Sequence, residues 1–412
     1  MSKTPRLHLF QAYGIELEYM IVDADTLNIR PISDKILIDQ NGKVNGEIDH
    51  GEVGWSNELV SHVMELKSNG PKADLTRLKD DFNQNIVTIN DLLKKENAVL
   101  MPGAAHPWMD PSKETVLWWH DSQEIYKTYD RIFSCKGHGW SNLQSMHINL
   151  PFYDDEEFAK LHTAIRFILP IIPALTAASP ILDRKFSGYL DKRLFYYEKN
   201  QSRIPAITGK VIPERVFSLH GYQKKIYERI TKAISPYDTD HLLKPVWLNS
   251  RGAIARFDRG AIEIRVIDIQ ECPSADLAVA MLIIHLLKLL TSEKWISFSM
   301  QQSFETDDLY HIFKDVIIDG GNAGIGDENY VKAWKAEGVT DVRALWAHIV
   351  EMVVSTFPSE MHNWTSILSK INSASLAERI LKSLNGNYTH ENLRRTYGLL
   401  VESLGKDRLF EP

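Results

Sequence analysis

Gly14-Ile15-Glu16-Leu17-Glu18-Tyr19 is the stretch from which the rest of the 412-residue chain can be read. Apolar and acidic residues alternate there with period two. As a strand it puts Ile15, Leu17, Tyr19 and Ile21 on one face and Glu16 with Glu18 on the other, and Gly14 leaves open space beside the pair. Two carboxylates at i and i+2 repel each other and are poor strand formers. On a solvated face they are ordinary surface residues. Lining a cleft they need cations, and hard oxygen ligands of this kind suit Mg²⁺ or Mn²⁺.

Three further segments repeat the construction. Over Ser61–Lys67, Val63, Glu65 and Lys67 share a face, and Glu58 lies just before it within reach of the same cleft. Ser145, His147 and Asn149 alternate with Met146, Ile148 and Leu150. Over Gly260–Asp268, Ile262, Ile264 and Val266 fall on one face and Glu263 with Arg265 on the other. Taken singly, each has a plain reading: a surface ion pair worth under about 1 kcal/mol, or a hydrogen-bonded structural histidine. If the four strands share one sheet, helices cover its apolar side and an acidic cleft lies on the other. Carboxylates crowded in a cleft cannot all stay ionised without cations. Carboxylates with one imidazole and no thiolate fit Mg²⁺ or Mn²⁺ better than zinc, for which no His-x-x-x-His helix occurs near these strands. Divalent ions beside arginines suit nucleotide phosphates, although neither a G-x-x-x-x-G-K-[ST] loop nor a strand-linked G-x-G-x-x-G occurs.

Between these strands the chain reads as turns and helices. Asp23–Gly54 is turn-rich, with Asn41-Gly42 and Asn45-Gly46 as expected hairpin turns. Asp74 caps a helix running to about Asn97, with Leu75, Leu78, Phe82, Ile86, Ile89 and Leu93 as its core stripe. Asp155–Ala178 reads as a helix interrupted near Pro170 and Pro173, and Ser274 as the cap of an apolar helix over Ala275–Leu290. Gly320–Gly326 reads as a flexible loop or a lid, and Ser375 with Glu378 as a capping box before Leu376–Leu384. The basic segment Asp183–Arg193 has two readings, a solvated helix end or cationic and hydroxyl groups reaching an anionic substrate.

Composition sets the outer limits. At 44% hydrophobic and 25% charged, the chain has the make-up of a globular protein with a substantial core. A net charge of −7 argues against a nucleic-acid-binding surface. Two cysteines, Cys135 and Cys272, without a pairing pattern suit a reducing cytoplasm. Met1 to Tyr13 holds no apolar run or cleavage-site pattern, so no secretion signal is expected. The apolar stretches Ile165–Leu182 and Ala278–Leu290 read as core helices rather than membrane spans.

Gly14–Tyr19, the Ser145–Asn149 strand, Ala178-Ser179-Pro180 followed by Ser187-Gly188-Tyr189 and Arg193, and the Ala261–Asp268 strand occur in that order. With them the chain resembles the glutamate–cysteine ligase family of the two-part type, which includes bacterial carboxylate–amine ligases. The resemblance spans roughly Leu9 to Leu290 in scattered motifs. It implies a glutamine-synthetase-like α+β fold: a curved, mainly antiparallel sheet with helices on one face and a metal and ATP cleft on the other. It further implies ATP and several Mg²⁺ ions, phosphorylation of the glutamate γ-carboxylate, and attack of an amine such as cysteine on the acyl phosphate.

Residue by residue, Glu16, Glu18 and Glu65 resemble the family's metal carboxylates, and His147 and Glu263 look like further ligands. Arg265 looks like a phosphate-contacting arginine and, with Glu263, like part of the catalytic machinery. Asn149, Arg184, Tyr189 and Arg193 are expected on the substrate or ATP side. The chain departs from the pattern at Ser145 and Asn149, where many relatives have Gly and a second His, and over Ile181–Lys185; both departures bear on substrate identity. The resulting expectation is a catalytic domain over residues 1–300 and a helical region over 301–412, packed on it or contiguous with it. The partners would be small molecules (an amino acid, an amine, ATP), with neither nucleic acid nor membrane, and a homo-oligomer is left open. Two other readings stand beside the ligase: a metal-dependent hydrolase using the same carboxylates, and a silent nucleotide- or metal-binding module.

Overall fold

A computed structural model describes residues 6–412, so the first five residues of the Met1–Tyr13 stretch lie outside the described residues. The strands are β1 (Gly14–Asp23), β2 (Glu47–His50), β3 (Val53–Asn57), β4 (Val63–Ser68), β5 (Ala98–Met101), β6 (Ser145–Pro151), β7 (Ile181–Leu182), β8 (Lys185–Phe186), β9 (Ala253–Arg256) and β10 (Ala261–Asp268). All but the small β7–β8 hairpin join one sheet of order β2-β3-β4-β1-β6-β10-β9, with β5 also paired to β1. Every strand pair in it is antiparallel. The α+β architecture expected from the four half-apolar strands is the one observed.

The cross-strand register sorts the two faces. Leu17 lies opposite Leu66 and Met146, and Ile148 opposite Ile15 and Ile264, all fully buried. On the other face the same register sets Glu18 opposite Glu65, Glu16 opposite His147, and Asn149 opposite both Glu263 and Gly14. A one-residue slip of any strand would exchange the two sets, so burial of the apolar set fixes where the polar one must stand. Gly14 lets Asn149 come close, since a Cβ there would sit 3.0 Å from Asn149 Cβ and force it to shift.

The main helices are α1 (Leu75–Leu93), α2 (Asp155–Ile168), α3 (Lys192–Lys199), α4 (Pro273–Thr291), α5 (Val342–Thr356), α6 (Leu376–Leu384) and α7 (His390–Gly405). Asp74 caps α1 by accepting from the Thr76 and Arg77 amides, and the six expected stripe residues are its buried ones. α1 packs on β3, β5 and α4, α2 on β10 and α4, and α5 on α4. α4 is long and apolar enough to cross a membrane, but 83% of its most apolar window is buried inside the fold, as a core helix requires. The Ser375–Glu378 capping box is present. Cys135 and Cys272 are buried free thiols.

Four local expectations are corrected. Asn45-Gly46 is not a hairpin turn: the Asn45 side chain donates its Nδ2 to Asp39 and to the Lys43 carbonyl in the preceding turn, and the β2–β3 turn falls at Gly51-Glu52. Ser274 does not cap α4, whose N-cap is Cys272; its hydroxyl donates instead to Asp407 at 2.7 Å. Gly320–Asn322 is a turn of 3₁₀ helix with both glycines buried, tied through Asn322 and Glu378 to Arg343 rather than free as a loop or lid. In β10 a bulge between Ile264 and Ile267 shifts the register, so Ile267 rather than Val266 lies opposite Met146.

One buried charge helps tie the C-terminal helices to the end of β10. The Glu271 carboxylate, fully buried just after β10, accepts from Arg379 of α6 at 2.5 Å and from the Phe410 amide at 3.3 Å. Arg379 also donates to the Phe410 carbonyl at 2.8 Å. Removing one partner of such a pair leaves an uncompensated buried charge. Arg379→Ala is therefore expected to cost about 3–5 kcal/mol in chemical denaturation, against under about 1 kcal/mol for removal of the exposed Lys370–Glu411 pair.

Candidate active site

No contiguous motif builds the cleft; strands from five places in the chain contribute to it. Glu16 and Glu18 come from β1, Glu65 from β4, His147 and Asn149 from β6, Glu263 and Arg265 from β10, and Arg256 from β9. His147 lies at the centre. Its Nδ1 is 2.8 Å from Glu16 Oε2, and its Nε2 is 2.9 Å from Ser145 Oγ and 3.8 Å from Glu18 Oε1. Asn149 Nδ2 donates to Glu16 Oε1 at 3.0 Å, Ser56 Oγ to Glu65 Oε1 at 2.8 Å, and the Ser145 amide to Glu18 Oε2 at 2.6 Å. Glu263 is held from both sides, by Arg256 at 2.9 Å and Arg265 at 3.1 Å, and Arg259 stands 3.5 Å from Glu16.

These side chains are almost wholly withdrawn from water: Glu18, Glu65, His147 and Glu263 are each 9% exposed or less. Burial alone would raise the pKa of Glu16, but the His147 hydrogen bond and the charges of His147, Arg259 and Arg265 bring it down to about 2. Glu65 goes the other way, pushed up to about 7 by burial and then by the Glu16 charge. Glu58 is driven well above the carboxylate range by burial and the charges of Glu18 and Glu65. For His147, burial disfavours the imidazolium, yet the Glu16 hydrogen bond and the neighbouring carboxylates outweigh it and raise its pKa. The protein's own cations balance the Glu16 and Glu263 side of the cleft. On the Glu18, Glu65 and Glu58 side the carboxyl groups crowd one another, and Lys67, 3.9 Å from Glu65, is the cation beside them.

The donor set fits divalent cations of the Mg²⁺ type. Glu16, His147 and Glu263 bring one ligand atom each to within 4.8 Å of one another, and so do Glu18, Glu65 and His147. Asn149 Oδ1 is a further buried oxygen without a hydrogen-bond partner. Hard carboxylate oxygens in this number suit Mg²⁺ or Mn²⁺. A neutral imidazole has one lone pair, so His147 can ligate at one triad while donating its other N–H to a carboxylate of the second.

Ser145, His147 and Glu16 have the spacing of a nucleophile, a base and its orienting acid. Acyl transfer is nevertheless disfavoured there, because Ser145 Oγ also lies 3.0 Å from Glu18 Oε2 and an oxyanion would form beside that carboxylate.

Seven expected residues converge: Glu16, Glu18, Glu65, His147, Asn149, Glu263 and Arg265. Arg193 does not line the cleft. It is buried beneath it, ion-paired with Asp268, and its two terminal nitrogens donate to the Arg265 carbonyl at 3.3 and 3.2 Å, at the β10 bulge. Arg184 stands exposed at the turn of the β7–β8 hairpin, and the Tyr189 ring is covered by the Lys192 ammonium at 4.0 Å. Sequence reasoning passed over Arg256 and Arg259. Their signal was the run Arg256-Phe257-Asp258-Arg259, two cations on the turn that feeds a polar-faced strand.

The fold is shared with a glutamate–cysteine ligase and a glutathione synthetase of known structure. A glutamate–cysteine ligase of Francisella tularensis, in complex with AMP, superposes with a TM-score of 0.62 at 12% identity, covering 98% of this chain and 92% of that one. A bifunctional glutathione synthetase of Pasteurella multocida gives a TM-score of 0.57 at 14% identity over 96% of this chain, which spans only 52% of that protein's length. An uncharacterized protein of Archaeoglobus fulgidus is 37% identical over 278 residues, 67% of this chain and 73% of that protein. Residues 12–315 match the model of glutamate-cysteine ligase family 2, and the chain belongs to that family.

Removing one of the crowded carboxylates should separate stability from cation binding. Glu65→Gln is expected to stabilise the metal-free protein by about 1 kcal/mol, since a buried charge facing Glu16 and Glu18 is lost while its oxygen can still accept from Ser56. The same change should abolish most of the rise in melting temperature that Mg²⁺ or Mn²⁺ gives the unmodified protein. Calorimetry with and without the ion checks both.

Proposed function

We propose that the chain is an ATP-dependent carboxylate–amine ligase that activates a carboxylate, the γ-carboxylate of glutamate, and couples it to an amine. Family membership supports the ligase class. The observation that carries the mechanism is the carboxylate–imidazole cleft flanked by Arg256, Arg259 and Arg265. A carboxylate is a poor acyl donor. Transfer of the γ-phosphoryl group of ATP to its oxygen releases ADP and gives an acyl phosphate; the amine nitrogen then attacks the carbonyl carbon, phosphate departs and the nitrogen loses a proton.

The transition state for phosphoryl transfer is rich in charge, so the protein's part is positioning and neutralisation. Mg²⁺ held by Glu16, Glu18, Glu65, His147 and Glu263 supplies charge neutralisation at the phosphate oxygens when bound. Glu263 forms an ion pair with Arg265 on its Nε side, and Arg193 fixes the Arg265 backbone from below. That arrangement leaves the ends of the guanidinium for phosphate oxygens. Residues 1–300 carry this machinery, and the helices of 301–412 serve as its support. A hydrolase using the same carboxylates would turn over without nucleotide.

The direct test is ADP release from the purified protein with Mg²⁺, ATP and glutamate, adding amines one at a time. Glutamate-dependent ADP that rises with an amine is expected, and nucleotide-independent hydrolysis would overturn the reading. Glu16→Gln and Glu263→Gln should each lower turnover by roughly 10²-fold or more with the fold retained. Arg265→Ala should raise KM for ATP more than KM for glutamate, and the opposite pattern would mean that Arg265 reads the acid.

A further inference from the structure

The polar face of the sheet continues past Glu65. Ser56 lies opposite Glu65 and donates to it, and the period of two along β3 puts Glu58 next on that side, just beyond the strand's end. Glu58 forms the cleft end of a pocket of about 300 Å³ whose other walls include Leu59, Ile125 and the rings of Tyr126, Tyr129 and Trp247. The rings are held in place. Asn57 donates its amide to the Tyr126 hydroxyl at 2.9 Å, and the Tyr129 hydroxyl donates to the Trp247 carbonyl at 3.1 Å. Both hydroxyls are engaged with the protein, and ring faces and edges are what the pocket offers an occupant.

Charge acts on the pocket from its cleft end. Burial and the charges of Glu18 and Glu65 disfavour the Glu58 anion, and the Arg265 charge is felt at both Glu58 and Tyr129. That end sets no preference between a simple amine and an amino acid. Selection falls to the remaining walls, which gain from an occupant by burying apolar surface.

Three molecules meet in a ligase of this kind, and the position of the pocket separates them. On that reading Arg265 serves the phosphates, so the pocket borders the place where the acyl phosphate forms. A nucleotide base seated here would leave a ribose and two phosphates between it and the γ-phosphate, which must reach the same Arg265. Glutamate carries an ammonium and a carboxylate at its far end, and walls of Leu59, Ile125 and ring carbon offer a partner to neither. The acceptor brings its nitrogen to the acyl carbon with the rest of its body directed away from the reacting atoms, as the pocket is directed.

Resting on the ligase reading above, we propose that this pocket receives the body of the accepting amine. The acceptor is a primary amine, with or without a carboxylate, whose body is an aromatic ring rather than the small thiol of cysteine.

The test uses pairs matched in charge and different in body: phenylalanine with alanine, and phenethylamine with ethylamine, with cysteine alongside. Each is measured by ADP release with Mg²⁺, ATP and glutamate. Each is also titrated calorimetrically with Mg²⁺, in the presence and absence of glutamate and a non-hydrolysable ATP analogue. The aromatic member of each pair should have a kcat/KM at least about tenfold above its small partner, and phenylalanine the same advantage over cysteine. Trp247→Ala removes a ring already 40% exposed and leaves the backbone carbonyl that holds Tyr129, so the fold should survive. It should raise KM for the aromatic acceptor about tenfold, with KM for ATP, glutamate and the small acceptor little changed. Trp247→Phe, which keeps a ring, should restore most of the loss.

Equal kcat/KM within both pairs, or cysteine equal to phenylalanine, would overturn the proposal while leaving the ligase reading intact. So would a Trp247→Ala effect confined to ATP or to glutamate, which would give the pocket to that substrate. Phenethylamine binding that is lost in Trp247→Ala, without ADP release under any condition, would support the pocket and sink the ligase reading instead. Absence of both binding and turnover with either aromatic compound would overturn the pocket.

Discussion

Like charge held at close quarters is the constraint around which this molecule is built. Left to themselves, Glu16, Glu18, Glu65 and Glu263 would separate or protonate, because each is nearly dry and faces another. They are kept together by what lies behind them. Their strands cannot slip without turning Leu17, Leu66, Met146 and Ile264 into the cleft. The apolar face, clamped by α1 and α2 with α4 packed on both, thereby stabilises an arrangement that its polar face opposes. Within the face the repulsion is met unevenly. Imidazole and guanidinium groups serve Glu16 and Glu263 at close range, while Glu18 and Glu65 receive hydroxyl and amide donors, with His147 and Lys67 standing off at 3.8 and 3.9 Å. The uneven supply of countercharge is what makes the cleft receptive to cations.

A second layer fixes the direction of the one arginine that must both pair and remain available. The bulge in β10 interrupts the ladder beside Arg265, and an interrupted ladder leaves carbonyls in need of donors. Arg193 meets that need from the protein interior and is itself held by Asp268, which also accepts from the Ala178 amide and the Ser179 hydroxyl. The Ala178-Ser179-Pro180 motif and Arg193 thus act together as a buried bracket under the cleft.

What could be read from the chain follows the range of each interaction. Period-two alternation is local, and spacing alone puts Glu16, Glu18, Glu65, His147, Asn149, Glu263 and Arg265 on polar faces. The core stripe of α1 and the Ser375–Glu378 box were legible for the same reason. Arg193 was not. Its charge suggested a role on the surface, and only its partner Asp268, 75 residues away, makes a buried guanidinium tolerable. The glycines of 320–322 suggested mobility, but the long-range tie through Arg343 and Glu378 removes it.

The Glu271 carboxylate has a consequence for how the chain is made. Its two partners lie 108 and 139 residues downstream, at Arg379 and Phe410. At a synthesis rate of about 5–20 residues per second, β10 and the start of α4 exist for several seconds before either partner leaves the ribosome. During that interval the polar end of Glu271 has no donor waiting for it and resists being drawn into the core. The sheet's last turn into α4 can therefore lock only after α6 has been synthesised. The nascent protein passes through a stage in which the strands carrying the cleft are complete but not yet closed behind.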